Sequence, residues 1–322
     1  MASSANAVAQ APEQQERHLA VPKDRRYVGT KETVAYILDD ISQSFNISKY
    51  NDIFVTDIIR VGLKFQQIVT FVIGIWDIIN DVFLAAIVDK TRTRWGKFKP
   101  WLVVYAGPGV LCSLFFWMMP LVFGDRGLYD ASKLAFYLIL QLFTNLASSL
   151  IAIARTGMTA TITPNIIDRT RLITQANLLS GFVEKAPEIL MGVLIDLVSR
   201  GVLKFPMRSL YVTGGVFTTL VSGGLALYFA FVSKERVMQT VDRPSIFAGV
   251  KSVFTNKPLL LITLSEFLGA FSMNSGTNYY YINVLGLASM TTIVGIPGAI
   301  VSPISYSYVP WARSKFSTKA LW

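Results

Sequence analysis

Apolar residues in this chain gather in long runs, separated by short polar and basic stretches. A helix needs about 20 consecutive, mostly apolar residues to cross a bilayer. Six windows meet that need: 65–88, 101–123, 134–154, 172–198, 210–232 and 259–285. A further window, 288–309, is rich in Gly and Pro, which membrane helices tolerate better than soluble ones. The stretch 33–60 is too polar for a hydropathy reading, since it holds Asp39, Asp40, Gln43, Asn46, Asp52 and Asp57. We count it as a first span that faces protein and water more than lipid. The expected number of spans is then eight.

Charge sets the expected orientation. Basic clusters at Arg25 and Arg26, 90–99, 169–171, 234–236 and 313–319 fall before the first span and after the second, fourth, sixth and eighth. All lie on one side, which the positive-inside rule makes cytosolic. Arg200, Lys204 and Arg208, after the fifth span, run against the pattern. The expected organisation is a cytosolic tail (1–32), a six-helix bundle (33–235), a cytosolic linker (236–258) and a partial second bundle of two helices (259–322). The expected setting is the cytoplasmic membrane, crossed many times, with the N-terminus in the cytosol.

Composition agrees with lipid as the solvent. Of 322 residues, 52% are hydrophobic and 16% charged, against about 25% charged in soluble chains. The net charge of +10 does not point to nucleic acid, because the basic residues sit between apolar runs. Cys112 and His18 are the only residues of their kinds. No intrachain disulfide and no Cys/His metal site can be built, and a Ser/His/Asp triad would need a histidine from the polar tail. No enzyme and no cofactor are expected, and the expected partners are a small-molecule substrate and membrane lipid, with the chain monomeric.

The chemistry concentrates in the second span. Asp77, Asn80 and Asp81 are spaced i, i+3, i+4 and therefore share one helical face. Each mid-membrane Asp costs roughly 2.5–3.5 kcal/mol on insertion scales, so the pair requires a partner. Two carboxylates and an amide oxygen are hard ligands suited to Na⁺ or a proton. Ion pairing with Arg or Lys of a neighbouring helix is the competing reading.

Beyond this helix runs Asp89-Lys-Thr-Arg-Thr-Arg-Trp-Gly-Lys-Phe-Lys-Pro-Trp101. Together with Trp76-Asp77 and Asn80-Asp81, it closely resembles the glycoside–pentoside–hexuronide:cation symporters, the melibiose-permease family of the major facilitator superfamily. The resemblance implies an all-α membrane fold of two six-helix halves, so about eight of twelve helices would be present and the second half incomplete. It implies symport of a sugar, glycoside or uronide with Na⁺ or H⁺ by alternating access. An uncoupled facilitator or a non-transporting relative is the alternative, and animal members of the family carry lysolipids.

Carried over residue by residue, the resemblance implies a cation shell of Asp77, Asn80, Asp81 and Ser149, with no metal beyond a sodium ion there. An acidic sugar-binding residue of the first helix matches Asp40, with Asp39 as a rival. The fourth-helix sugar acid aligns with Ala152, its aromatic neighbour with Thr156, and the fifth-helix basic residue near Asn177. Arg155 stands on the fourth helix, where it favours a carboxylate-bearing substrate or pairs with Asp77 or Asp81. Asn274 belongs to a polar, aromatic run on the seventh span. Asp89 with Arg92 or Arg94 reads as a conformational latch on the cytosolic side.

Overall fold

The computed structural model describes residues 26–124, 126–183, 185–237, 255–270 and 277–315, and within these the architecture is helical, without a β-strand. We number the principal helices α1 (Thr30–Ser44), α2 (Leu63–Lys90), α3 (Lys99–Phe123), α4 (Ala131–Thr161), α5 (Ile166–Val183), α6 (Ala186–Ser199), α7 (Met207–Val232), α8 (Lys257–Ala270) and α9 (Ile296–Lys315). Three of them, α3, α4 and α7, are long and apolar enough to cross a bilayer by length and composition alone. At 28 residues, α2 is also long, but it carries the acidic face.

Several helices depart from their hydropathy windows for local reasons. The first span is not one helix. Asn46 donates its amide to Gln43 O and accepts the Ser48 N–H, a side-chain turn that competes with helical bonding. The chain resumes as a 3₁₀ turn (Ser48–Tyr50), a helical turn (Asn51–Ile53) and a π turn (Phe54–Ile58). Likewise, the window at 172–198 divides into α5 and α6, with Lys185 and Pro187 at the start of the second piece. A proline there has no N–H to continue the α5 ladder. Helix α4 runs past its window to Thr161 because Thr159 and Thr161 return their hydroxyls to Arg155 O and Gly157 O. Those polar residues end an apolar count but not a helix.

Helix α3 packs against both α4 and α7, α1 against α7 and α5, α2 against α4, and α9 against α5. Near the end opposite the basic clusters, Phe54 stacks on Tyr211 at 5.8 Å and meets Phe116 edge-on at 5.3 Å. Near the basic end, Val88, Phe98, Leu150, Met158, Ile162 and Phe229 form a second buried cluster. Close approach there depends on Gly157, where an added Cβ would lie 2.2 Å from the Phe98 ring. Outward faces are apolar as well: Phe71, Phe115, Leu121, Phe217 and Phe231 are all more than half exposed, as a surface solvated by lipid requires.

The basic end is tied by its own charges. The Glu235 carboxylate accepts the backbone N–H groups of Lys97, Phe98 and Lys99 at 2.7–2.8 Å, where α3 begins. In return, Lys99 Nζ donates to Phe231 O and Ser233 O at the end of α7, both at 2.8 Å. Arg236 pairs with Glu32 of α1 at 2.6 Å and donates to Ile162 O beyond α4. Four helices are thus joined by the few residues that follow α7.

Candidate functional site

Asp77, Asn80 and Asp81 share one face of α2, as their spacing requires. Asn80 is buried, Asp77 half-buried and Asp81 exposed. Among the described residues, neither carboxylate has an ion pair or a hydrogen bond, and Asn80 Nδ2 has no partner either. Ser149 is half-buried on α4, the helix that packs against α2. One turn before it, Asn145 Oδ1 is buried without a hydrogen-bond partner. Carboxylate, amide and hydroxyl oxygens of this kind suit a hard monovalent cation or a proton.

Arg155 does not pair with Asp77 or Asp81. Its Nε and Nη2 donate to Oδ2 and Oδ1 of Asp39, each at 2.6 Å, joining α4 to α1. Asp40, one residue later and therefore turned by about 100°, accepts a 2.5 Å hydrogen bond from Ser180 of α5 instead. The two candidate acids of the first helix thus serve different neighbours.

The Asp39–Arg155 pair forms part of the wall of a cavity of about 570 Å³ bordered by α1, α3, α4 and α7, the turns between α1 and α2, and the first turns of α2. Its lining is unusually polar for the interior of a membrane bundle. Gln43, Asn46, Asn51, Gln66, Ser113, Gln141, Thr144, Ser148, Thr219 and Ser222 face it, with Trp117 and Tyr137 as aromatic members. On α4, Gln141, Ser148 and Arg155 succeed one another every seven residues and line the cavity. Ser149, Ala152 and Thr156 lie on the adjoining face. Of the residues expected to meet substrate, the structure brings Arg155 to this cavity and leaves Asp40 outside its lining. Asn177 is half-buried on α5, also away from it, and Asn274 lies outside the described residues.

Sequence reasoning did not single out this cavity. Its signal was present as a repeat of small and amide side chains along α1 and α4, but such residues are equally common at plain helix contacts.

Asp89, expected to pair with Arg92 or Arg94, finds a different base. Asp89 pairs with Lys97 at 2.6 Å, whereas Arg92 and Arg94 are exposed. A tight turn explains the choice: Thr93 and Gly96 exchange backbone bonds, and Gly96 adopts φ 111. The turn carries Lys97 back toward the end of α2, while Arg94 lies over the Trp95 ring at 5.7 Å. Any side chain at Gly96 would meet the Glu235 carboxylate at 2.4 Å, so the turn and the strap after α7 depend on one another.

Comparison with known proteins gives this arrangement a lineage. A sequence model of the MFS/sugar transport protein family matches residues 43–322. The chain is 24% identical to the glucuronide carrier protein homolog of Escherichia coli K12, over 84% of this chain and 59% of that one. It is 21% identical to the isoprimeverose transporter of Lactiplantibacillus pentosus, over 92% and 61% respectively. A shorter stretch, 29% of this chain and 17% of the relative, is 30% identical to the sodium-dependent lysophosphatidylcholine symporter 1-B of Danio rerio. The chain spans about 60% of the length of the two sugar-related relatives. It is a multi-pass membrane protein and belongs to the MFS/sugar transport family, within the glycoside–pentoside–hexuronide symporter group.

Proposed function

We propose that the protein is a secondary active transporter in which a cation, Na⁺ or H⁺, bound on the α2 face drives symport of a sugar-like solute. One observation carries this reading: Asp77 and Asp81 lie on an apolar helix without a cationic partner among the described residues. The base best placed on sequence grounds to neutralise them, Arg155, is held by Asp39. A carboxylate pair left without a base in a membrane helix calls for a mobile cation.

Asp77, Asn80, Asp81 and Ser149 supply the oxygens for that cation. Coupling follows because each ligand stabilises the same loaded state, and by linkage the effect is reciprocal. The names of the sugar-related relatives support a sugar-class solute, and the sodium-dependent relative supports Na⁺. The basic end is assigned to the cytosol, and with it the N-terminus.

The test is thermal stability of the purified protein against NaCl, with choline chloride as the ionic-strength control. A ligand at 100 times its dissociation constant stabilises the folded state by about 2.7 kcal/mol, which is visible as a melting shift. A sodium-specific rise that vanishes in Asp77→Asn is expected. The same rise in both proteins would place the ion elsewhere, and a response equal to that in choline would remove Na⁺ and leave H⁺.

A further inference from the structure

Arginine in a solute cavity ordinarily selects an anion, because its planar fork grips a carboxylate through two parallel hydrogen bonds. In this cavity the side-on fork of Arg155, its Nε and Nη2 edge, is already engaged. Nε and Nη2 of Arg155 each stand 2.6 Å from an oxygen of Asp39. Asp39 is itself only 3% exposed, so it cannot turn into water to make room for a second carboxylate. Parting the pair would leave the buried Asp39 carboxylate without its counter-charge, which is strongly unfavourable. The pair contributes no net charge to the wall. An anionic solute would therefore meet a guanidinium whose side-on fork and charge are already taken by Asp39.

The remaining lining suits the opposite class. Gln43, Gln141, Thr144 and Ser222 are amides and hydroxyls that both donate and accept, and Trp117 supplies an aromatic ring. Hydroxyl groups of an uncharged ring compound are satisfied by such groups without any exchange of charge.

We propose that the cavity between α1, α3, α4 and α7 binds an uncharged polyhydroxylated solute of the neutral glycoside class, and that Asp39 sets this choice by occupying Arg155. The proposal rests on the sugar-class solute of the transport reading. It narrows that class by rejecting uronides, and it places the α4 contact on the face of Gln141, Ser148 and Arg155 rather than that of Ala152 and Thr156.

The test uses the full chain in lipid nanodiscs, with equilibrium binding of methyl β-glucoside and methyl β-glucuronide. The wild type is expected to bind the glucoside at least about tenfold more tightly, a discrimination equivalent to about 1.4 kcal/mol. Asp39→Asn frees the guanidinium and should move the ratio toward the glucuronide by about tenfold. The reversed pair, Asp39→Arg with Arg155→Asp, restores a filled fork and should keep the preference for the neutral sugar. Equal or tighter binding of the glucuronide by the wild type overturns the proposal, whether or not the variants fold. So does an unmoved ratio in a folded Asp39→Asn. A sodium-specific stabilisation without glucoside binding would overturn this proposal and leave cation coupling intact. Glucoside binding without a sodium response would do the reverse.

Discussion

Lys133 Nζ donates to the carbonyl oxygen of Arg60 at 2.9 Å, deep enough that the lysine side chain is fully buried. It reaches Ile59 O at 3.2 Å and Arg126 O at 3.4 Å as well. Arg60 is the only described non-glycine residue with a positive φ, at 62. The ammonium of α4 therefore gathers the carbonyls that the π turn and the left-handed residue leave without helical partners. Its three donors and their three acceptors fix the far end of the first span against α4.

Removing that ammonium should be costly. Lys133→Met keeps the length and the apolar stem but leaves buried carbonyls unsatisfied, with an expected loss of about 1–3 kcal/mol. Melting of the purified protein measures it. Arg60→Gly relieves the left-handed strain and should not lower stability, which separates the bond from the backbone shape. A melting temperature unchanged in Lys133→Met would show that water replaces the ammonium.

Glu235 offers a second prediction. Its carboxylate takes three successive N–H groups at the start of α3, where the helix dipole also favours a negative charge. Glu235→Ala should destabilise by about 1.5–3 kcal/mol, the range for hydrogen bonds to a charged group. Amide exchange at 97–99 should accelerate while exchange in the middle of α4 holds. Acceleration everywhere would mean that the strap supports the whole bundle rather than one end.

A third prediction concerns pH. Asp130 caps α4 by accepting the Lys133 N–H at 2.9 Å, and that bond holds its carboxyl below the ordinary value, with Arg126 adding to the effect. A depressed carboxyl contributes stability above its unfolded value, near 3.9, and loses it as pH falls through the lower folded value. Asp130→Asn keeps the acceptor and removes the titration. Its melting temperature should therefore fall less steeply than that of the wild type below about pH 4. Parallel curves would show that the cap acts through its shape alone.

Local rules carried a large part of this protein. Lipid demands long apolar runs, so the windows behind α3, α4 and α7 were legible before any packing was known. Helical geometry alone put Asp77, Asn80 and Asp81 on one face. The motif from Asp89 to Trp101 identified the family, which the match over 43–322 establishes.

What sequence could not decide was which helix each polar side chain would meet. Asp39 and Asp40 are adjacent, yet one serves Arg155 of α4 and the other Ser180 of α5. Those partners lie 116 and 140 residues away, and only the rotation of α1 between its neighbours selects between them. Asp89 chose Lys97 over Arg92 and Arg94 because a turn at Gly96 reverses the chain. The cavity of α1, α3, α4 and α7 exists only once those helices enclose it. Hydropathy and spacing act along the chain and are readable from it. Pairing across helices depends on their rotation and separation, which the packed structure alone determines.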